Sequence, residues 1–300
     1  MQILLRSLSL TLLVQFGLAD PSVAQSLGFS IAGDGRLAAG VTDQVKGADL
    51  FFFGDATARL SHENSPIGFE LGIFGLANIV DTPHETYGTF TLDFAQGGKL
   101  LLGVTRPAYD SFAVSAMEKA LPALGVSHTA STRSLATYGA MFAGYLPYGL
   151  RFESASGSLR YAVSIATVPN RDTTIASAGF SMPIGDLTLE SAIEAAHAAT
   201  TKVAGKVQLS GDFGQVHAGL GYYSPSTVGR PDLVEAFASF DPFDKLTVAG
   251  VIQIPLTNAD DPVVGVSARY ALTAAVGLSA GVLRDGQAGN AYSTQVDWNF

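Results

Sequence analysis

The chain has no cysteine, so it has neither a disulfide framework nor thiolate chemistry at its disposal. Charge is scarce: only 14% of the 300 residues are Asp, Glu, Lys or Arg, against roughly 25% in ordinary soluble domains. A surface made for water needs more. Basic residues are the scarcer sign, 17 against 26 acidic ones, giving a formal net charge of −9. That balance excludes nonspecific binding to nucleic acid. Catalytic signatures are missing too. The sequence holds no G-x-S-x-G elbow, no H-E-x-x-H, no phosphate-binding loop, and no dinucleotide glycine pattern between a strand and a helix. His62, His84, His128, His197 and His217 all stand outside any serine motif, and His62-Glu63 reads as a surface pair near a strand end. With no nucleophile set beside a base, the chain reads as a non-enzyme that needs no cofactor.

Long apolar runs are lacking as well. Beyond residue 24 no stretch reaches the roughly eighteen apolar residues of a membrane-spanning helix. Residues 1–24 read as a secretory signal: Arg6 gives the early positive charge, Leu8 to Leu18 the apolar region, and Ser22-Val23-Ala24 the cut site before Gln25. Residues 25–300 then form one domain. What this domain has in quantity is glycine, 33 residues, and 28 Phe plus Tyr beside a single Trp. Low charge, many glycines and many aromatics suit an all-β barrel whose outer face meets lipid.

The dominant pattern is period-two alternation in segments of about ten residues, the signature of transmembrane strands. In the last segment Tyr292, Thr294, Val296, Trp298 and Phe300 share one face, and Ser293, Gln295, Asp297 and Asn299 the other. Leu159, Tyr161, Val163 and Ile165 oppose Arg160, Ala162, Ser164 and Ala166 in the same way. Counting such segments from 27–42 to 290–300 gives sixteen strands. In lipid every backbone polar group must be paired internally, so the strands have to close into an antiparallel barrel. An even count puts both termini in the periplasm. Short turns such as Asn64-Ser65, Gly185 and Gly214-Gln215 belong on that side, and connections such as Ser224 to Pro231 on the outside. The link at Ala199 to Thr201 is brief for an external loop.

One connection breaks the rhythm. Between Pro107 and Pro147 no alternation persists; Phe112 to Leu124 reads as a helix capped by Ser111 and ended by Pro122, and Leu135 to Ala143 as a further extended stretch. A forty-residue insertion in a compact barrel needs a purpose, and folding inward to narrow the lumen supplies one.

On these residues the sequence resembles the trimeric general-diffusion porins of alphaproteobacteria, the Rhodobacter-like type. Gly33-Asp34-Gly35-Arg36-Leu37 is similar to their first strand. Gly98 to Gly103 followed by Arg106-Pro107-Ala108-Tyr109-Asp110 is similar to the approach to their inward third loop, and Gly149 to Ser154 with Ser158 to Ser164 to the hairpin after it. Terminal Phe300 matches the signal read by the barrel assembly machinery. The resemblance implies a homotrimer in the bacterial outer membrane, among lipid and lipopolysaccharide, with three pores for small hydrophilic solutes. Two departures concern the constriction. The inward loop offers few acids, Asp110 and Glu118, against Lys119, His128 and Arg133, and Arg106 is displaced by Val104 and Thr105 from its place after the glycine.

Selectivity in such a pore depends on bore and lining charge. Alternation places Asp34, Asp55, Glu70, Asp93, Glu153, Glu190, Glu194, Lys206, Asp212 and Arg269 toward the lumen. Arg36, Arg59, Arg151 and Arg160 on the wall, facing Asp110 and Glu118 from the loop, would set a transverse field across an eyelet; the alternative is pairing with nearby Asp34, Asp55 or Glu153. The small residues Gly33, Gly35, Ala39, Gly54, Ala56 and Ala58 face outward, where neighbouring barrels can approach closely. Structural calcium at Asp260-Asp261 or Asp172 is a further reading without a placed site. The function expected is passive diffusion of ions and small hydrophilic solutes, with mild cation selectivity. Alternatives are a channel preferring a sugar or organic acid and a non-conducting surface barrel. The scatter of Tyr109, Phe112, Tyr138, Phe142, Tyr145 and Tyr148 argues against a sugar slide.

Overall fold

The computed structural model describes residues 28–43, 49–78, 84–95, 97–125, 128, 131–169, 171–225, 230–257, 261–286 and 289–300. The signal segment read in residues 1–24 lies outside the described residues. Sixteen strands alternate up and down the chain. They are β1 (Phe29–Thr42), β2 (Asp49–His62), β3 (Ser65–Asn78), β4 (His84–Asp93), β5 (Gly98–Val104), β6 (Tyr148–Ser156), β7 (Leu159–Val168) and β8 (Thr173–Ile184). Then follow β9 (Leu187–His197), β10 (Thr201–Phe213), β11 (Val216–Ser224), β12 (Leu233–Phe243), β13 (Leu246–Pro255), β14 (Val263–Ala271), β15 (Val276–Asp285) and β16 (Gly289–Asn299).

Each strand pairs antiparallel with its sequence neighbours, and β1 pairs with β16 to close the barrel. The seam runs from Arg36 opposite Asn299 to Thr42 opposite Ser293. It is continued by Gly35 and Phe300, whose amides and carbonyls exchange hydrogen bonds of 3.1 and 3.2 Å. No edge is left open, as lipid requires.

The expected alternation is the one observed. Apolar side chains such as Ile67, Phe90, Leu102, Val163, Ile193, Val203 and Leu220 stand exposed on the outer face. At the end carrying the short turns, Phe29, Phe94, Phe213, Phe243, Trp298 and Phe300 are exposed. Tyr148, Tyr222 and Tyr292 are exposed at the opposite end, so aromatics border the apolar band on both rims.

The long connection between β5 and β6 differs in detail from expectation. Its helix α1 (Ala116–Ala120) starts at Ser115, whose Oγ accepts from the Met117 amide, rather than at Ser111. Residues 108–111 form a separate 3-10 turn, and Ala113 takes a positive φ of 46° that forbids one continuous helix. Pro122 opens α2 (Pro122–Gly125) instead of ending a turn. Leu121 before it leaves the helical region, as a residue preceding proline tends to. The extended stretch expected at Leu135 to Ala143 is helical. With β5 and β6 paired directly to each other, it finds no strand edge to join.

Candidate functional site: the lumen and its loop

The loop enters the barrel and makes a circuit of its inner wall. Ser164 on β7 and Ser177 on β8 accept from the amides of Ala108 (2.9 Å) and Tyr109 (3.2 Å), and Glu190 on β9 from that of Ala113 (3.2 Å). Glu235 on β12 then fixes the start of α1, taking the Ser115 hydroxyl at 2.5 Å and the Ala116 amide at 2.7 Å. Beyond it Met117, Leu121 and Leu124 pack on Val251, Val263, Leu283 and Ala291 of β13–β16. Leu121 occupies the space that side chains would fill at Gly265 and Gly281, so a larger residue at either would have to displace it. Ala123 reaches Ala38, Phe51, Phe53, Phe74 and Leu76 on β1–β3.

The return leg crosses the middle. Lys206 on β10 donates to the Thr132 carbonyl at 3.0 Å, and Glu194 on β9 accepts from the Leu135 amide at 2.9 Å and from the Ser134 hydroxyl. Asp110 staples the two legs, accepting from the Ser134 amide and the Thr137 hydroxyl, both at 2.8 Å. Arg133 is the hub. Its guanidinium donates to Glu85 on β4 at 2.5 Å and to both oxygens of Glu118, and lies 3.6 Å from the centre of the Phe74 ring. All three charged groups are buried. Burial alone would raise the Glu118 carboxyl, but the adjacent Arg133 charge holds it below its ordinary value. Burial also pushes the His128 imidazole down, against the pull of Asp285.

Below the loop, toward the turn end, the lumen includes a polar cavity and a larger one of mixed lining. The smaller, about 230 Å³, is lined by Arg59, Lys99, Arg106 and Arg151 and by Asp34, Asp55, Glu70 and Glu153. The larger, about 420 Å³, lies beneath α1 against β9–β15 and contains Arg36, Lys119, Glu190, His217, Phe237 and Arg269.

Solved porins match this closed barrel. A triple mutant of the Rhodopseudomonas blastica porin superposes with a TM-score of 0.67 at 14% identity, over 90% of this chain and 100% of that one. Two further Rh. blastica porin mutants give TM-scores of 0.69 and 0.68 at 14% and 15% identity, with the same coverage. The chain has the porin fold. No protein-family model and no curated protein matches the sequence.

Within this porin fold the residues expected at an eyelet are dispersed. Arg36 binds buried Asp297 through two nitrogens at 2.9 and 2.7 Å. Arg59 pairs with Glu70 at 2.8 Å, and Arg151 with Glu153 at 2.9 Å. Arg160 sits beside the 157–158 turn, exposed, 3.7 Å from Glu190. The structure does not bring these arginines to face Asp110 and Glu118, because both acids point into the loop's own interior. Two of them touch the loop: Arg36 donates to the Lys119 carbonyl (3.2 Å), and Arg151 to the Arg106 carbonyl (3.0 Å) and the Ser111 hydroxyl (2.7 Å). The local alternative describes Arg151, and Asp55 finds Arg106 instead, at 3.3 Å.

Of the other lumenal expectations, Glu194 and Lys206 are buried behind the loop, while Asp34, Asp93 and Asp212 are exposed. Asp212 pairs with His217 at 2.7 Å. Arg269 lies 3.9 Å from Asp297. Sequence reading missed Glu85, Glu235 and the hub role of Arg133. Its one available signal was a basic residue in a loop expected to be acidic. Among the described residues no group of three His, Asp or Glu is arranged to hold a metal. Asp260, half of the calcium pair considered, lies outside them.

Proposed function

We propose that the protein is a passive diffusion channel of the bacterial outer membrane, a channel rather than an enzyme, for ions and small hydrophilic solutes. The observation that carries this reading is the inversion of an ordinary protein. Apolar side chains cover the outside of the barrel, while paired charges line accessible cavities within it. That arrangement suits lipid outside and water inside. The export signal of residues 1–24, assembly through Phe300, contact with lipid and lipopolysaccharide, periplasmic termini and a homotrimer all belong to this reading. Gly33 and Ala39 support the trimer, giving β1 small, exposed outward positions.

The loop's circuit favours a second reading, in which the barrel conducts weakly or is closed until the loop shifts. Recording the purified full-length protein in planar bilayers separates the two. An open channel gives discrete steps in threes at moderate voltage, and a plugged barrel stays silent.

A further inference from the structure

The larger cavity has a charge imbalance that the smaller one lacks. In the smaller, Arg59, Lys99, Arg106 and Arg151 face the equal number Asp34, Asp55, Glu70 and Glu153. In the larger, two guanidiniums share one acid. Asp297, with no exposed side-chain surface, takes two nitrogens of Arg36 on Oδ1, and its Oδ2 lies 3.9 Å from Arg269 Nε. The remaining capacity of that carboxylate goes to the Ser279 hydroxyl and the Gln295 amide. One positive charge is left over, and Arg36 and Arg269 both keep surface facing the cavity, 24% and 32% of each side chain.

Lys119 adds a second. Its carbonyl accepts from Arg36 Nη1 at 3.2 Å, which holds the end of α1 against that arginine. Its own side chain is exposed in the cavity and makes no ion pair among the described residues. Glu190, the acid lining this cavity, is already committed to the Ala113 amide and to Arg160. His217 is committed to Asp212.

We propose that this turn-side vestibule is a binding site for small oxyanion dianions, held by Arg36, Lys119 and Arg269. A guanidinium presents parallel N–H donors that fit a carboxylate or phosphate, and a lysine ammonium adds a mobile point charge. A volume of about 420 Å³ admits a molecule of several heavy atoms. Ala116, Ala120 and Phe237 give it an apolar side for a short carbon body. The site therefore works against the protein's overall charge of −9, and reverses locally the cation preference expected from the acidic composition.

The proposal rests on the channel reading only in that solute must reach the lumen, so binding and conduction are measured separately. Calorimetry on the full-length protein in detergent uses succinate, inorganic phosphate and acetate. Succinate is expected to bind about tenfold more tightly than monovalent acetate, and Lys119→Ala and Arg269→Gln each to weaken it about tenfold. Phosphate binding equal to succinate assigns the site to oxyanions generally; succinate binding alone narrows it to dicarboxylates. Absence of binding by both dianions, or affinity unchanged in both variants, overturns the site whatever the bilayer recordings give. Binding in a barrel that stays silent overturns the channel reading and leaves the site standing.

Discussion

The two halves of this lumen are built by different rules. Toward the loop end the inner wall is buried, and its side chains are either apolar, as with Phe51, Phe53 and Leu76, or polar and sealed, as with Glu85, Glu194 and Glu235. Toward the turn end most charges remain in contact with water and pair along the wall, as Arg59 does with Glu70, and Asp297 is the sealed exception. A sealed ion pair has lost its hydration and depends wholly on its partner, so removing one partner costs about 3–5 kcal/mol. A hydrated pair contributes about 0–1 kcal/mol. The same residue types thus serve as fasteners in one half and as solute lining in the other.

The sharpest way to break this comparison is Arg133→Ala, which leaves Glu85 and Glu118 buried without their common cation. Loop docking is expected to weaken by about 3–5 kcal/mol. Open-channel conductance should rise severalfold, and residues 107–147 should become sensitive to protease in the intact barrel. Unchanged conductance and protection would show that the apolar clusters hold the loop alone.

Acid tests the same fastener with a smaller effect. Because the Glu118 carboxyl is lowered in the folded barrel, its stabilisation is complete above the ordinary carboxylate value of about 4.3. It is lost as pH falls through the lowered value. Conductance and noise should increase below about pH 4, as Glu118 takes up its proton. Glu118→Gln should remove that acid step; a step of undiminished size in the variant would assign it to other carboxylates.

The smallest structural effect belongs to the turn end. Arg59→Ala should shift the melting temperature little, since its exposed pair contributes at most about 1 kcal/mol. It should nonetheless move the reversal potential in a KCl gradient toward cations, because Asp34, Asp55, Glu70 and Glu153 then outnumber their partners in the smaller cavity. A large loss of stability would show that this half, too, is held by its charges.

The wall was legible in the sequence because alternation is local. Val203, Val207 and Leu209 announce an outer face, and Lys206 and Gln208 an inner one, within a single strand. The Arg151–Glu153 pair was legible for the same reason, two residues apart on one face. The loop's anchoring was not. Arg133 meets Glu85 from 48 positions away and Ser115 meets Glu235 from 120, and no short-range pattern records such partners. Asp110 and Glu118 were correctly placed on the inward loop, but an acid on a loop carries no mark of which way it points. The helix boundaries failed where the wall overrode local propensity, with Glu235 rather than Ser111 setting the start of α1.

The run Phe51-Phe52-Phe53 has an implication for how the molecule is made. Phe52 meets the membrane side while Phe51 and Phe53, with Phe74 of the next strand, turn inward against Ala123 and Phe142 of the loop. Without the loop, the loop-end part of the β2–β3 hairpin is apolar on both faces. Such a hairpin is a hazard for misassembly. Docking of the loop therefore covers an apolar patch that the closed strands alone would leave facing the lumen.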